Sequence, residues 1–181
     1  MKIGLLFGSF NPIHIGHLVI ANYMAEFTDL EQVWLVVSPH NPMKEKNSLA
    51  DAQKRLAAVK KAVGKNPKIK VSDVELSLPQ PSYTINTLEV LGKKYPQHKF
   101  VLIIGSDNLN MLHKWKDYKK ILSKYKIYVY PRLGVANLTG FKNLSGLSRN
   151  IKMIDAPRID ISSTFIREQM KKGKDVRYFL A

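Results

Sequence analysis

Cysteine is absent from this 181-residue chain. That excludes a disulfide framework and thiolate zinc sites, and nothing points to an oxidising compartment. Long apolar runs are missing too: none approaches the roughly 20 residues that a bilayer-spanning helix needs. The first residues, MKIGLLF, have the charge and apolarity of a leader's opening. Asn11, Pro12 and His14 interrupt them before a leader core of ordinary length and a cleavage site. A cytoplasmic protein with no membrane partner is the expectation. No Pro/Gly/Ser-rich linker or composition break divides the chain, so one domain over residues 1–181 is expected, long enough to bury a sizeable core.

Familiar nucleotide and hydrolase signatures are also lacking. There is no GxxxxGK(S/T) phosphate loop, no GxGxxG after the first apolar run and no GxSxG turn. P-loop hydrolase and dinucleotide oxidoreductase readings thereby lose their main support. Acidic residues are scarce, 14 against 29 lysines and arginines, for a formal net charge of +15. Residues 1–50 hold three lysines and four acidic residues, so the whole excess lies beyond them. Much of it falls on one segment, where Lys114, Lys116, Lys119, Lys120, Lys124 and Lys126 face Asp117 alone. Such a lysine-rich face is most often simply solvated, with anion steering or weak nucleic-acid binding as the alternative. Aromatics interleaved with arginines, which a base-stacking platform needs, are not evident, and nucleic acid is disfavoured as a partner.

What is present is an alternation of strand and helix patterns. Residues 2–7 (KIGLLF), 32–38 (QVWLVVS), 69–76, 99–105 (KFVLIIG), 126–131 (KIYVYP) and 151–155 (IKMID) read as strands. Helical patterns cover 16–27, 51–63, 84–94, 109–124 and 162–172, and the Gly/Asn/Ser-rich stretch 133–149 reads as a loop. Strand, helix and strand within the first 38 residues imply a right-handed crossover between parallel strands. The fold expected is therefore α/β, a doubly wound, mostly parallel sheet of Rossmann-like type. Ligands on such sheets sit beyond the carboxyl ends of the strands. GSFNP, SPHNP, GSD and the segment before ISST all follow strand ends, so four polar loops are expected to converge on one edge.

The stretch GSFNPIHIGH, residues 8–17, carries the strongest chemical signal. A buried strand that turns through small residues into a helix offers free backbone N–H groups at the positive end of a helix dipole, where phosphate binds well. His14 and His17, three apart, point to the same side as the chain turns helical. The pair is half of a metal site, but no third ligand stands at helical spacing, which argues against a protein-held transition metal. Far along the chain, ISSTFIR (161–167) presents Ser162, Ser163 and Thr164 at a helix start, with Arg167 one turn on and able to reach the same anion. Taken alone this is an ordinary helix cap followed by a surface arginine. Paired with HIGH it reads as the second half of a nucleotide phosphate site.

These two segments together resemble the nucleotidyltransferase superfamily that carries the (T/H)xGH signature. The order of the pieces between them, SPHNPMK, PSYTINTLEVL, IIGSDNLNMLHKW and YPRLG, resembles bacterial nicotinate-mononucleotide adenylyltransferases over nearly the whole chain. The resemblance implies transfer of AMP from ATP to nicotinate mononucleotide in NAD synthesis, with Mg²⁺ held mainly by the ATP phosphates and water rather than by side chains. It implies that His14, His17 and Arg167 are catalytic, with Ser162, Ser163 and Thr164 holding the triphosphate from the other side. Gly105 and Asp107 match the family's GxD on the adenosine side. The backbone of Gly8, Ser9 and Phe10 would meet the acceptor phosphate and also border the ATP. Trp115 and Thr84 match the pyridine site, with Tyr83 and Tyr118 adjacent to it, Lys44 matches a loop lysine, and Arg132 the family's PR pair. The loop reads PHNPMK where the family more often has two prolines, His and Lys, which leaves His40 without an assigned role. Phosphopantetheine adenylyltransferase, which shares the histidine and ISST motifs, and a basic non-catalytic nucleotide- or nucleic-acid-binding regulator are the alternatives. A homo-oligomer is left open.

Overall fold

The computed structural model describes residues 1–39, 50–132 and 148–181; His40, Lys44 and the greater part of the 133–149 loop lie outside the described residues. Six apolar segments form strands: β1 (Lys2–Gly8), β2 (Gln32–Val37), β3 (Ile69–Ser72), β4 (Lys99–Gly105), β5 (Lys126–Tyr130) and β6 (Ile151–Met153). They pair in parallel throughout, in the order β3-β2-β1-β4-β5-β6. Leu5 at the centre lies opposite Trp34 on one side and Leu102 on the other. The chain starts in the middle of the sheet, winds outward one way through β3, then returns across to β4 and winds outward the other way. Strand order therefore reverses between β1 and β4, and the crevice beyond their carboxyl ends is where such sheets bind ligands.

A sheet covered on both faces needs strands that are apolar at every position, which is why these segments read as continuous hydrophobic runs. Alternate residues serve opposite faces. Val33, Leu35 and Val37 join Ile20, Ala21 and Met24 of α1 (Ile15–Phe27) and Leu56 and Val59 of α2 (Ala52–Val63). Trp34 and Val36 join Ile85, Leu88 and Leu91 of α3 (Thr84–Lys94) on the other face, with Leu109 of α4 (Ser106–Met111) and Ile121 of α5 (Tyr118–Lys124). Each such fully buried aliphatic side chain stabilises the fold by about 1.5–3 kcal/mol relative to exposure.

Three segments depart from the sequence reading. The third strand ends at Ser72, not at residue 76, because Val74–Ser77 turns into a 3-10 helix that sends the Glu75 carboxylate inward to the Ser82 and Thr87 hydroxyls. The helix expected over 109–124 is instead α4, a 3-10 turn at Leu112–Lys114, and α5. Trp115 takes an extended conformation and Asp117 a left-handed one (φ 51°), so the helix is cut where the tryptophan must turn toward the crevice. Ser148–Asn150, at the end of the expected loop, forms a 3-10 turn. The final helix, α6 (Ser163–Lys171), is capped as expected, with the Ser162 hydroxyl accepting the Phe165 N–H at 3.1 Å.

Candidate active site

A cavity of about 680 Å³ opens at the carboxyl ends of β1 and β4, where strand order reverses. Its floor begins where β1 runs out. Gly8 is required there, since a Cβ would stand 2.9 Å from the Phe10 ring, which folds back over it. Phe10 itself is buried and holds a left-handed backbone (φ 46°), a conformation that a non-glycine residue keeps only when its surroundings enforce it. Gly8, Ser9 and Phe10 of this turn line the cavity.

The three-residue spacing of the histidines has a structural meaning. His14 is the N-cap of α1, and its backbone N–H donates to Nδ1 of His17 at 3.2 Å, while His17 N–H donates to the His14 carbonyl at 2.9 Å. Because His17 Nδ1 accepts, its ring N–H is on Nε2. The two rings lie against each other, centroids 3.7 Å apart, and the His17 ring meets Phe10 edge-on. His14 is almost fully buried, its Nδ1 without a hydrogen-bond partner among the described residues. Burial first, and the nearby charge of Arg132 second, hold its pKa down at about 4, so it is neutral at pH 7.

The two motifs at opposite ends of the sequence are stitched together. The Ser163 hydroxyl donates to the Pro12 carbonyl at 2.9 Å, and Arg167 donates to the Asn11 carbonyl at 2.7 Å and to the Thr164 hydroxyl at 3.3 Å. Ser162, Ser163, Thr164 and Arg167 thus line one wall, facing His14 and His17. At the end of β4, Gly105 caps α4, and the Asp107 carboxylate and the Arg132 side chain fold so close over it that a Cβ would displace them. Arg132 is fixed further by its backbone N–H, which donates to the Ser106 hydroxyl at 3.0 Å. Tyr83, Thr84 and Trp115 form the third wall.

All the described residues named from the sequence therefore meet in one cavity, except Tyr118. That residue packs half-buried on the core beside Tyr83 and Trp115 and does not line the cavity. Lys44 is outside the described residues. The lysine-rich segment is not wholly a solvated face: Lys114 and Lys116 reach the cavity wall, and the Lys116 ammonium stands 4.6 Å over the Tyr83 ring.

Two residues escaped the sequence reading. Glu75, 2 % exposed, accepts from Thr87 at 2.7 Å and from Ser82 at 3.3 Å, bracing the start of α3 that carries Thr84. Arg55, 3 % exposed, donates to the carbonyls of Ser9, Ser38, Pro39 and Ala50. A lone Glu or Arg inside an amphipathic pattern looks like a solvated residue, and only the packing reveals it as buried.

Among the described residues no group of three or more His, Asp or Glu gathers to hold a metal, and no helix is long and apolar enough to cross a membrane. The donors facing the cavity are instead amides, hydroxyls, imidazoles and guanidinium groups, the set that suits phosphate oxygens.

Comparison with known proteins agrees with this chemistry. The cytidylyltransferase-like family profile matches residues 5–169. A protein of Flavobacterium johnsoniae named "Probable nicotinate-nucleotide adenylyltransferase" is 55% identical over 99% of this chain and 92% of its own length. One of Cytophaga hutchinsonii with the same description is 50% identical over 100% and 92%. Among solved structures, the Plasmodium falciparum nicotinic acid mononucleotide adenylyltransferase complexed with NaAD superposes with a TM-score of 0.81 at 19% identity, covering 97% of this chain and 86% of that one, which speaks to the fold alone. The sheet order, the single crevice shared by the HIGH and ISST segments, and relatives that match almost end to end converge: the chain belongs to the cytidylyltransferase-like family, among the nicotinate-nucleotide adenylyltransferases.

Proposed function

We propose that the protein transfers AMP from ATP to the phosphate of nicotinate mononucleotide, forming the deamido dinucleotide and pyrophosphate. The observation that carries this reading is the stitching of Ser163 and Arg167 to the Pro12 and Asn11 carbonyls, which brings the ISST helix start and the two histidines to one cavity. The acceptor is already mostly a dianion at pH 7, its second pKa being about 6, so the attack needs no side-chain base. That demand is compatible with the described site, because His14, almost fully buried, is neutral and serves as a hydrogen-bonding group rather than a proton acceptor at that pH.

Catalysis then rests on alignment and on neutralising the charge that builds on the departing pyrophosphate. In this reading the amides of Gly8, Ser9 and Phe10 hold the acceptor phosphate. His14 and His17 donate to the ATP phosphates from one side, and the amides of Ser163 and Thr164 with the Arg167 guanidinium from the other. The Ser163 hydroxyl hydrogen is committed to Pro12, so its share is the backbone N–H and the hydroxyl oxygen. Asp107, beside Gly105, borders the adenosine. Trp115 faces the pyridine ring, and Thr84 with the first amides of α3 meets the ring carboxylate. Mg²⁺ would arrive with the triphosphate rather than be held by side chains, and would supply charge neutralisation there. In this reading the enzyme, acting on soluble nucleotides, works in the cytoplasm.

The test is direct: purified protein with ATP and Mg²⁺ is offered nicotinate mononucleotide, nicotinamide mononucleotide or phosphopantetheine, and pyrophosphate and dinucleotide are measured. Turnover chiefly with nicotinate mononucleotide is expected. Turnover only with phosphopantetheine, or none with any acceptor, overturns the reading.

A further inference from the structure

Arg55 stands in α2, outside the cavity and behind its floor. Its guanidinium makes no salt bridge among the described residues. It donates instead to four carbonyls: Nε to Ala50 at 2.9 Å, one terminal nitrogen to both Ser9 and Ser38 (the latter at 2.8 Å), and the other to Pro39 at 2.9 Å. Asp51, the nearest acidic influence on it, is occupied in capping α2, its Oδ1 accepting the Gln53 and Lys54 amides. A buried cation is costly, and among the described residues this one is hydrogen-bonded to carbonyl dipoles rather than to a carboxylate. Here that charge lies under the turn that follows β1.

The bond to Ser9 has a geometric consequence. The Ser9–Phe10 peptide is trans, and in a trans peptide the C=O and the following N–H point in opposite directions. With the Ser9 carbonyl drawn back onto Arg55, the Phe10 N–H is turned the other way, toward the cavity that Ser9 and Phe10 line. A cationic donor on the carbonyl also polarises the peptide and strengthens its N–H as a donor. The same guanidinium grips Ser38 and Pro39, just past β2, and so locks the loops of two adjacent strands to each other. Lysine, a point charge without a planar fork, cannot bond three separate stretches of backbone in this way.

We propose that Arg55 is the positioning residue of the acceptor-phosphate site, orienting the Phe10 N–H toward the phosphate and placing a positive charge behind it. This rests on the function proposed above only for the identity of the acceptor. A helix that merely needed a brace would be served without regard to which substrate is bound, whereas this arrangement acts chiefly on the substrate whose phosphate meets the Phe10 N–H.

Arg55→Lys and Arg55→Gln are compared with the unaltered protein by steady-state kinetics, varying nicotinate mononucleotide and ATP separately, and by thermal melting. Loss of a charge-assisted hydrogen bond predicts a KM for nicotinate mononucleotide raised roughly 10- to 100-fold in Arg55→Gln and by less in Arg55→Lys, with the KM for ATP within about threefold of its original value. Equal rises for both substrates, or a lowered melting temperature with the acceptor KM unchanged, overturn the proposal and leave Arg55 as a brace; so does failure of both variants to fold. If the unaltered protein uses phosphopantetheine instead, the same split is read on that acceptor's KM. If it turns over no acceptor, the function reading fails. The dissociation constant of nicotinate mononucleotide, measured calorimetrically on the original and variant proteins, then decides for or against Arg55.

Discussion

Arg167 and Asn11, 156 residues apart in the chain, are joined by a 2.7 Å hydrogen bond from the guanidinium to the Asn11 carbonyl. The bond sets the far wall of the site against the turn that follows the first strand. It occupies one edge of the guanidinium and fixes where the other edge points. We predict that Arg167→Ala lowers kcat about 100- to 1000-fold, the range seen when one preorganised donor is removed from a charge-stabilising site. The folded state should change less than activity does, since Arg167 is partly exposed. Stopped assays of pyrophosphate release beside a melting curve separate the two; a kcat within tenfold of the original sinks the assigned role.

Stability should fall as pH drops below neutral because of His14. Its pKa lies at about 4 in the folded chain against 6.5 for an ordinary histidine. Between those values the unfolded chain binds a proton that the folded chain refuses, so stability is full above about pH 6.5 and is lost progressively down to about pH 4. The loss is at most about 3 kcal/mol and is reduced by solvent screening. Asp29, held at about 2 by its hydrogen bonds from Lys2 and Tyr128, acts only in a lower window, being lost as pH falls from 3.8 toward 2. Melting temperatures between pH 7 and 4.5 should therefore decline in the original protein and decline less in His14→Gln; parallel curves contradict the attribution.

For the acceptor's ring carboxylate, Thr84→Val is the informative change, because it keeps the shape and removes the hydroxyl. The KM for nicotinate mononucleotide should rise roughly tenfold with that for ATP almost unchanged, the cost of one hydrogen bond to a charged group. A rise for both, or for neither, counts against Thr84 as a substrate contact.

Gly105→Ala tests the other end of the cavity. A methyl there meets the Asp107 carboxylate and stands 2.9 Å from Cγ of Arg132, so both side chains must swing away. The expected result is a KM for ATP raised several-fold, with overpacking costing about 1–3 kcal/mol of stability. A comparable structure of the variant with Asp107 unmoved would refute the argument.

The order of strands and helices was legible in the sequence because a parallel sheet covered on both faces demands continuous apolar runs, such as KFVLIIG, separated by amphipathic helices. The phosphate-binding segments were legible too, as glycine, hydroxyl and histidine positions at strand ends and helix starts. The break at Trp115 was not. Periodicity over 109–124 favours one helix, and the left-handed Asp117 that cuts it answers to the cavity rather than to local preference. Nor were Glu75 and Arg55, since a charged residue looks the same in a string of letters whether water or backbone carbonyls surround it.

By itself, then, the sequence determined which segments are strands, which are helices, and which residues carry phosphate chemistry, because those properties depend on neighbours a few positions away. Only the tertiary structure decided that Asn11 and Arg167 share a hydrogen bond, that Tyr118 faces the core while Trp115 faces the cavity, and that a buried arginine underlies the first turn. Those depend on which distant segments the sheet brings side by side, and on how much water remains between them.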